Sequence, residues 1–210
     1  MTRHFFHGRS ALPFLITTLV PALAFAQRSG STIDNDRIFQ ALGVREGLTV
    51  CEIGAGDGAL SIAVARAVGA GGRVYTSELG DDRVKTLRDK IAASGLPQIS
   101  VIAGDATATN FPDGACDALF MRNVYHHFAD PARMNSAITK AVRRGGRVAV
   151  VDFAPPGAEA ASPAERDKDG THGVTPESLS RELEEAGFET FCSELGDERW
   201  FMVVVTKPGQ

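Results

Sequence analysis

Cysteine is scarce in this sequence, with three copies among 210 residues, Cys51, Cys116 and Cys192. None stands in C-x-x-C spacing, so the pattern indicates neither a zinc site nor a disulfide framework. Cys51 and Cys116 fall in or beside predicted buried strands and are expected to be small core residues. The motifs G-x-S-x-G, Walker A and H-E-x-x-H are also missing from the sequence. The sequence therefore lacks the motifs expected for hydrolase or phosphoryl-transfer activity.

Excess positive charge is likewise missing. The formal net charge is -4, and no stripe of Lys and Arg alternates with aromatic residues. This balance argues against nucleic acid or an anionic membrane surface as the main partner. The apolar share of 43% is enough for a large core. We therefore expect a single domain over residues 27–210, with a small-molecule or lipid-like substrate and no internal repeat.

The first 26 residues differ from the rest. Arg3 and His4 precede an apolar segment, residues 11–26, which ends in the A-x-A pattern Ala24-Phe25-Ala26. This pattern predicts a signal peptide over residues 1–26, cleaved after Ala26, and an exported protein, periplasmic or secreted. An uncleaved membrane anchor and an organelle transit segment are the alternatives; no membrane span is expected once the segment is removed.

Downstream of a polar linker, strand and helix patterns alternate from Leu48 to Phe153. The predicted order is strand 48–53, helix 59–68, strand 73–78, helix 81–94, strand 99–103, strand 117–122, a helix from Pro131 to about Val142 ended by Gly145-Gly146, and strand 147–153. Such alternation predicts an α/β fold with a Rossmann-like parallel sheet and helices on both faces.

The C-terminal part departs from this alternation. After a helix capped by Thr175, two strand-like runs, residues 188–195 and 199–206, are joined by a short link that forces an antiparallel hairpin. The polar segment 154–173 leaves the carboxyl end of a strand, where ligands bind in open α/β sheets. A mobile lid over the substrate and a plain surface insertion are both consistent with it.

The stretch from Val50 to Gly58 reads V-C-E-I-G-A-G-D-G. It predicts a strand, a glycine turn and a helix N-terminus, where a ligand can approach bare backbone N–H groups. Gly54-x-Gly56-x-x-Ala59 also satisfies the dinucleotide fingerprint, so an NAD-dependent oxidoreductase stays possible. Glu52 favours a different ligand because it could accept a hydrogen bond from an ammonium group, which NAD lacks.

This E-x-G-x-G-x-G run resembles motif I of the class I S-adenosylmethionine (SAM) methyltransferases, and the late antiparallel hairpin suits their fold. The resemblance covers residues 34–208 and implies SAM as the cofactor. It implies that Glu52 lies near the methionine moiety of SAM. It also implies that Glu78 accepts hydrogen bonds from the ribose and that Asp105 accepts one from the adenine amino group. The implied cofactor-binding set is Glu52, Gly54, Ala55, Gly56, Gly58, Glu78, Asp105, Ala106 and Asn123.

The segment after the fourth strand, N-V-Y-H-H-F, is similar to the N-x-x-H-H-F pattern of small-molecule methyltransferases, including quinone-biosynthesis C-methyltransferases. His126 or His127 is the candidate general base, and a histidine that packs against the core is the alternative. Adjacent histidines are expected to point in different directions, so no metal site is predicted.

The resulting hypothesis is methyl transfer from SAM to a small-molecule or lipid-like acceptor, by in-line attack on the sulfonium methyl. Besides the NAD-dependent oxidoreductase, a non-catalytic binding protein that keeps the fold remains a rival. The predicted export favours the non-catalytic alternative, because SAM is made in the cytosol and an exported enzyme would need SAM to be supplied outside it.

Overall fold

The computed structural model describes Met1 and residues 33–209. The predicted signal peptide and the linker after it lie outside the described residues, apart from Met1. Within this part of the chain, no helix combines the length and the apolar character needed to cross a membrane.

Five α-helices and seven β-strands alternate through most of the described chain. The helices are α1 Asn35–Leu42, α2 Ala59–Val68, α3 Asp81–Ala93, α4 Pro131–Ala141 and α5 Pro176–Glu185. The strands are β1 Thr49–Ile53, β2 Arg73–Glu78, β3 Ile99–Ala103, β4 Cys116–Arg122, β5 Val142–Phe153, β6 Glu189–Leu195 and β7 Trp200–Thr206. Side chains cap three helices. Asp130 accepts from the amide of Arg133 and Thr175 from that of Ser178, as the sequence predicts, and Asp34 accepts from that of Arg37.

The strands form one sheet in the order β3-β2-β1-β4-β5-β7-β6. The first five strands in this order are parallel, whereas β7 runs antiparallel between β5 and β6. The predicted fold class, including the late antiparallel hairpin, is therefore confirmed. Because the order reverses at β1 and β4, the carboxyl ends of these two strands flank the crevice in which open α/β sheets bind ligands.

The core lies on both faces of the sheet. Along β4, Ala118 and Phe120 belong to one buried cluster, and Leu119 and Met121 to the other. Helices α1, α2 and α3 cover the first face, and α4 and α5 cover the second. Since the central strands are buried on both sides, they appear in the sequence as continuous apolar runs rather than alternating ones.

The predicted helix end at about Val142 is confirmed to within a residue, since α4 ends at Ala141, but the predicted start of the next strand at residue 147 is wrong. Strand β5 already begins at Val142, so the glycine pair Gly145-Gly146 lies within the strand and does not terminate the helix. Val142 pairs with Cys116, and the register between β4 and β5 then shifts before Ala118. The glycines lie at this irregularity, where a Cβ on Gly146 would approach the carbonyl oxygen of Arg143 to 2.9 Å.

The expectation for Cys51 and Cys116 also needs correction. Both are fully buried core residues, but they form a disulfide that joins β1 to the start of β4, with Cα atoms 5.7 Å apart. That separation is the usual one for a disulfide. Sequence spacing did not reveal the pair because 65 residues separate the two cysteines and only the sheet brings them together. Among the described residues, Cys192 is unpaired.

Candidate cofactor cleft and histidine cluster

The glycine turn after β1 has positive φ at Gly54, Gly56 and Gly58. A Cβ on Gly54 would lie 2.4 Å from Val124, and one on Gly58 would lie 2.8 Å from Leu87. A Cβ on Gly56 would meet no described atom within 4 Å. The outer two glycines therefore allow close packing, whereas Gly56 opens bare backbone to the cleft.

The turn is fixed to the end of β2. The amides of Gly54 and Ala55 both donate to the carbonyl oxygen of Ser77, at 3.0 Å. The amide of Gly56 donates to Oε2 of Glu78 at 2.8 Å, and the amide of Leu79 donates to Oε1 at 2.8 Å. Each carboxylate oxygen keeps a second lone pair that can accept from a ligand hydroxyl. Glu78 can therefore hold the turn and bind a ribose at the same time.

Glu52 lies at the floor of the cleft and is 4% exposed. Its carboxyl group is hydrogen-bonded to the hydroxyl of Ser61 in α2, and Ser61 Oγ lies 2.8 Å from Thr76 Oγ1. Burial raises the pKa of Glu52 to about 8, an effect that the Ser61 hydrogen bond opposes and the charges of Asp57 and Glu78 reinforce. Burial thus favours the neutral carboxyl, whereas a ligand ammonium close to it would favour the anion.

The loops after β3 and β4 complete the cofactor side. Asp105 accepts from the amide of Thr107 at 2.8 Å and from its hydroxyl at 2.9 Å, and these bonds lower the pKa of the exposed carboxyl. It thus caps a turn. Asn123 has a φ of 59°, in the left-handed region that Asn tolerates, and its amide donates to Val151.

All of the predicted cofactor residues except Gly58 line one cleft with a volume of about 670 Å³. Gly58 lies behind them, packed against α3. Sequence reasoning missed several other lining residues: Leu60, Arg83, Thr109, Val124, Phe128, Met134 and Asp167. Arg83 lies in the first turn of α3, and its Nε is 3.6 Å from Oε1 of Glu78 at the end of β2.

His126 and His127 lie in a short 3-10 helix, Tyr125–His127. His126 is 1% exposed, and its Nδ1 lies 2.8 Å from Oδ1 of Asp152, which is fully buried. Asp152 also accepts from the amides of His126 and Phe153. Because the carboxylate is an acceptor, Nδ1 donates to it, and Nε2 is the ring nitrogen left without a partner among the described residues. His126 does not line the cleft, so it does not contact a ligand there in this structure.

His127 does line the cleft, and its side chain is 48% exposed. Its Nδ1 lies 3.1 Å from Oδ1 of Asp167, and the same oxygen lies 3.5 Å from Nε2 of His172. Burial and the neighbouring His126 lower the pKa of His127, whereas Asp167 and Asp152 oppose the shift. A neutral imidazole at neutral pH is able to accept a proton. Of the two predicted bases, the structure places only His127 at the cleft.

The two histidine rings do not diverge as expected, since their centroids are 4.0 Å apart and that of His172 is 4.7 Å from that of His126. Tyr125, the first residue of the same 3-10 helix, belongs to the core. It is fully buried, and its hydroxyl donates to Glu182 at 3.0 Å while accepting from Asn135 at 2.8 Å.

Segment 154–173 is attached to the fold at two points. Arg166, 4% exposed, donates to both carboxylate oxygens of Glu182 at 3.0 and 2.5 Å. Glu159 accepts from the hydroxyls of Thr175 and Ser178 at 3.0 and 2.7 Å. These contacts bring Asp167 to the cleft and His172 against His126. The lid function of this segment stays a prediction.

Comparison with known proteins assigns this arrangement to a family. A family model described as a methyltransferase domain matches residues 51–150. The ubiquinone/menaquinone biosynthesis C-methyltransferase UbiE of Marinomonas sp. (strain MWYL1) is 30% identical over 118 residues, which is 56% of this chain and 47% of that protein. The UbiE of Enterobacter sp. (strain 638) is 27% identical over 157 residues, 74% of this chain and 60% of that protein. The chain thus spans about half the length of the curated relatives it matches.

A solved structure shows the same fold. The crystal structure of a SAM-dependent methyltransferase from Aquifex aeolicus superimposes with a TM-score of 0.71 at 22% identity, covering 83% of this chain and 89% of that one. The match to the methyltransferase-domain model and to the UbiE relatives confirms the predicted resemblance and its cofactor, SAM, over the NAD alternative. Residues 51–150 thus match the methyltransferase-domain family, and the chain is similar to class I SAM-dependent methyltransferases, the C-methyltransferases of quinone biosynthesis among them.

Proposed function

We propose that this protein transfers a methyl group from SAM to a small acceptor with a quinone-type or comparable ring. The observation that carries the proposal is the single cleft that joins the glycine turn, Glu78 and Asp105 at one end to Asn123 and His127 at the other. Its volume of about 670 Å³ lies within the usual range for small-molecule sites. The similarity to the UbiE proteins supports the acceptor class.

The residues of the cofactor end suit this ligand. Open space at Gly56 would admit the ligand against bare backbone, Glu78 would accept from the ribose hydroxyls, and Asp105 would accept from the adenine amino group. Glu52 would lie near the methionine ammonium. When bound, SAM supplies an electrophilic methyl group on a sulfonium, which is already a good leaving group.

The remaining task for the chain is to hold the acceptor in line, and proximity can supply most of the rate. His127 is the side chain that the structure offers for an acidic acceptor proton, with Asp167 3.1 Å from its Nδ1. His126, which is hydrogen-bonded to Asp152, packs against His127 with the two ring centroids 4.0 Å apart and so helps to position it.

The test is calorimetric titration of the purified protein with SAM, S-adenosylhomocysteine and NAD. We expect saturable binding of the first two and none of NAD. Methyl transfer is then assayed with radiolabelled SAM and short-chain benzoquinol and naphthoquinol acceptors. Binding of NAD alone would establish the oxidoreductase. SAM binding without transfer to any acceptor would support the non-catalytic alternative.

We also propose that the protein is exported and acts in an oxidising compartment. The support is the predicted signal peptide together with the buried Cys51–Cys116 disulfide, because structural disulfides persist mainly outside the reducing cytosol. N-terminal sequencing of the protein from fractionated cells tests this. A mature chain starting at Gln27 in the exported fraction is expected, and an intact N-terminus in the cytosol would refute export.

A further inference from the structure

Three histidines and one carboxylate lie close together at and behind the acceptor end of the cleft, where His127 and Asp167 line it and His126 and His172 pack behind them. One ligating atom each from His126, His127 and Asp167 lies within 4.8 Å of the other two. The Asp167 carboxylate oxygen is 3.1 Å from Nδ1 of His127 and 3.5 Å from Nε2 of His172. Four side chains that commonly bind metal ions therefore share one small volume.

A buried nitrogen in this cluster lacks a protein partner. Asp152 occupies Nδ1 of His126, and Nε2 has no hydrogen-bond partner among the described residues although the side chain is 1% exposed. A buried acceptor without a partner is costly and calls for an explanation. A bound cation satisfies Nε2 directly, whereas a core histidine without a ligand does not.

We propose that His126, His127 and Asp167 bind a divalent transition-metal ion, Zn²⁺ in the first instance, with His172 as a fourth ligand. Two or three imidazoles with one carboxylate are a donor set that zinc prefers over magnesium. The Asp152–His126 pair has the form of the carboxylate that orients a metal-bound histidine. Tetrahedral bonds of about 2.1 Å place ligand atoms roughly 3.4 Å apart, so shifts on the order of 1 Å complete the site.

The position of the site gives the ion a role that rests on the proposed methyl transfer. His127 and Asp167 line the cleft that also contains Gly56 and Asn123. A Zn²⁺ ion there would carry one net positive charge after Asp167 is counted. It would favour release of an acceptor hydroxyl proton to water in the cleft and would hold the resulting oxygen anion. In the metal-bound protein His127 acts through the ion and is not itself the base.

Zinc binding is tested on the full chain carrying His4→Ala and His7→Ala, without a polyhistidine tag, so that N-terminal histidines do not compete. The chelated protein is titrated with Zn²⁺ by calorimetry, and Co²⁺ absorption reports the coordination number. We expect one equivalent bound, weakened about 100-fold or more by Asp167→Asn or His127→Ala. Asp152→Asn is expected to weaken binding about 10–100-fold, as for other carboxylates behind a metal-bound histidine.

Asp169→Asn is the matched control, because Asp169 is an exposed acid of the same segment. It is expected to bind Zn²⁺ like the parent. Absence of stoichiometric binding by the parent, or equal binding by Asp167→Asn and Asp169→Asn, would overturn the site. SAM titration of every variant shows that each is folded. SAM binding without Zn²⁺ binding refutes the metal site alone, and Zn²⁺ binding without SAM binding or methyl transfer refutes the proposed function alone.

Discussion

The main-chain amide of Gly56 donates a hydrogen bond to Oε2 of Glu78, with an N–O distance of 2.8 Å. The bond links the glycine turn after β1 to the end of β2, 22 residues further along the chain. Because the other oxygen of Glu78 accepts from the amide of Leu79, the carboxylate is held in one orientation before any ligand arrives. Glu78 and Gly56, which are 22 residues apart in the sequence, therefore form one ligand-binding site before any ligand is bound.

Gly56→Val is expected to abolish SAM binding, with an affinity loss of at least about 100-fold. The φ of 54° at this position is unfavourable for a β-branched residue, and the new side chain would enter the open space of the cleft. Calorimetry with SAM measures the loss. Gly71→Val is the control, since Gly71 is exposed, lacks positive φ and has no described atom within 4 Å of a Cβ. Retained SAM affinity in Gly56→Val would show that Gly56 is not part of the SAM-binding site.

Glu78→Gln should weaken SAM binding about 10–100-fold and lower the free energy of unfolding by about 1–3 kcal/mol. The amide group offers only one acceptor oxygen, so one of the two amides of Gly56 and Leu79 loses its partner. Calorimetry and urea unfolding measure the two effects. The exposed acid Glu46 supplies the control variant Glu46→Gln, which should match the parent in both. A Glu78→Gln protein with unchanged SAM affinity would show that the carboxylate does not contact the ligand.

Much of the fold could be predicted because its signals are local. The helix caps at Asp130 and Thr175 and the β-branched residues of β2 and β3 give the element bounds to within a residue or two. The glycine turn gives the cofactor end of the cleft for the same reason.

The acceptor end could not be predicted in this way. Asp167 reaches His127 only because Arg166, its neighbour in the chain, is bound by Glu182 in α5. The meeting of His126 with His127 depends on a three-residue 3-10 helix that has no sequence signature. The Cys51–Cys116 disulfide depends on β1 lying beside β4. The Asp167–His127 contact and the disulfide join distant segments, and spacing along the chain does not encode such contacts.

The stability of the protein should fall as the pH rises from about 4.5 to about 8, in part because of Glu52. The pKa of this carboxyl is about 8 in the folded protein against 4.5 for an ordinary glutamate, so the unfolded chain ionises first. The contribution of Glu52 to the free energy of unfolding is therefore fully present below pH 4.5 and is lost as the pH rises through 8. Since one pKa unit corresponds to about 1.4 kcal/mol, the total is on the order of a few kcal/mol.

Urea unfolding at pH 5 and pH 8 measures this contribution as the difference between the parent and Glu52→Gln. The variant should lose less stability between the two pH values, because the amide side chain that replaces the carboxyl does not ionise. Glu185→Gln, at an exposed position of α5, should keep the parental dependence. Identical pH dependence in the parent and in Glu52→Gln would show that Glu52 titrates normally.

Replacing the disulfide by Cys51→Ala/Cys116→Ala should lower the free energy of unfolding by about 4 kcal/mol. The bond closes a loop with a sequence separation of 65 residues, and the chain-entropy relation for that length gives this magnitude. Cys192→Ser should leave stability almost unchanged, since Cys192 is unpaired and only partly buried.

Urea unfolding with and without a reducing agent measures the contribution of the disulfide. Reductant should destabilise the parent and the Cys192→Ser variant by similar amounts and have no effect on the double variant. Because both bonded cysteines are fully buried, reduction should proceed through unfolding and therefore be slow in the absence of urea. A parent whose unfolding midpoint does not respond to reductant would show that the two thiols are not bonded, and the disulfide would then no longer support an oxidising compartment.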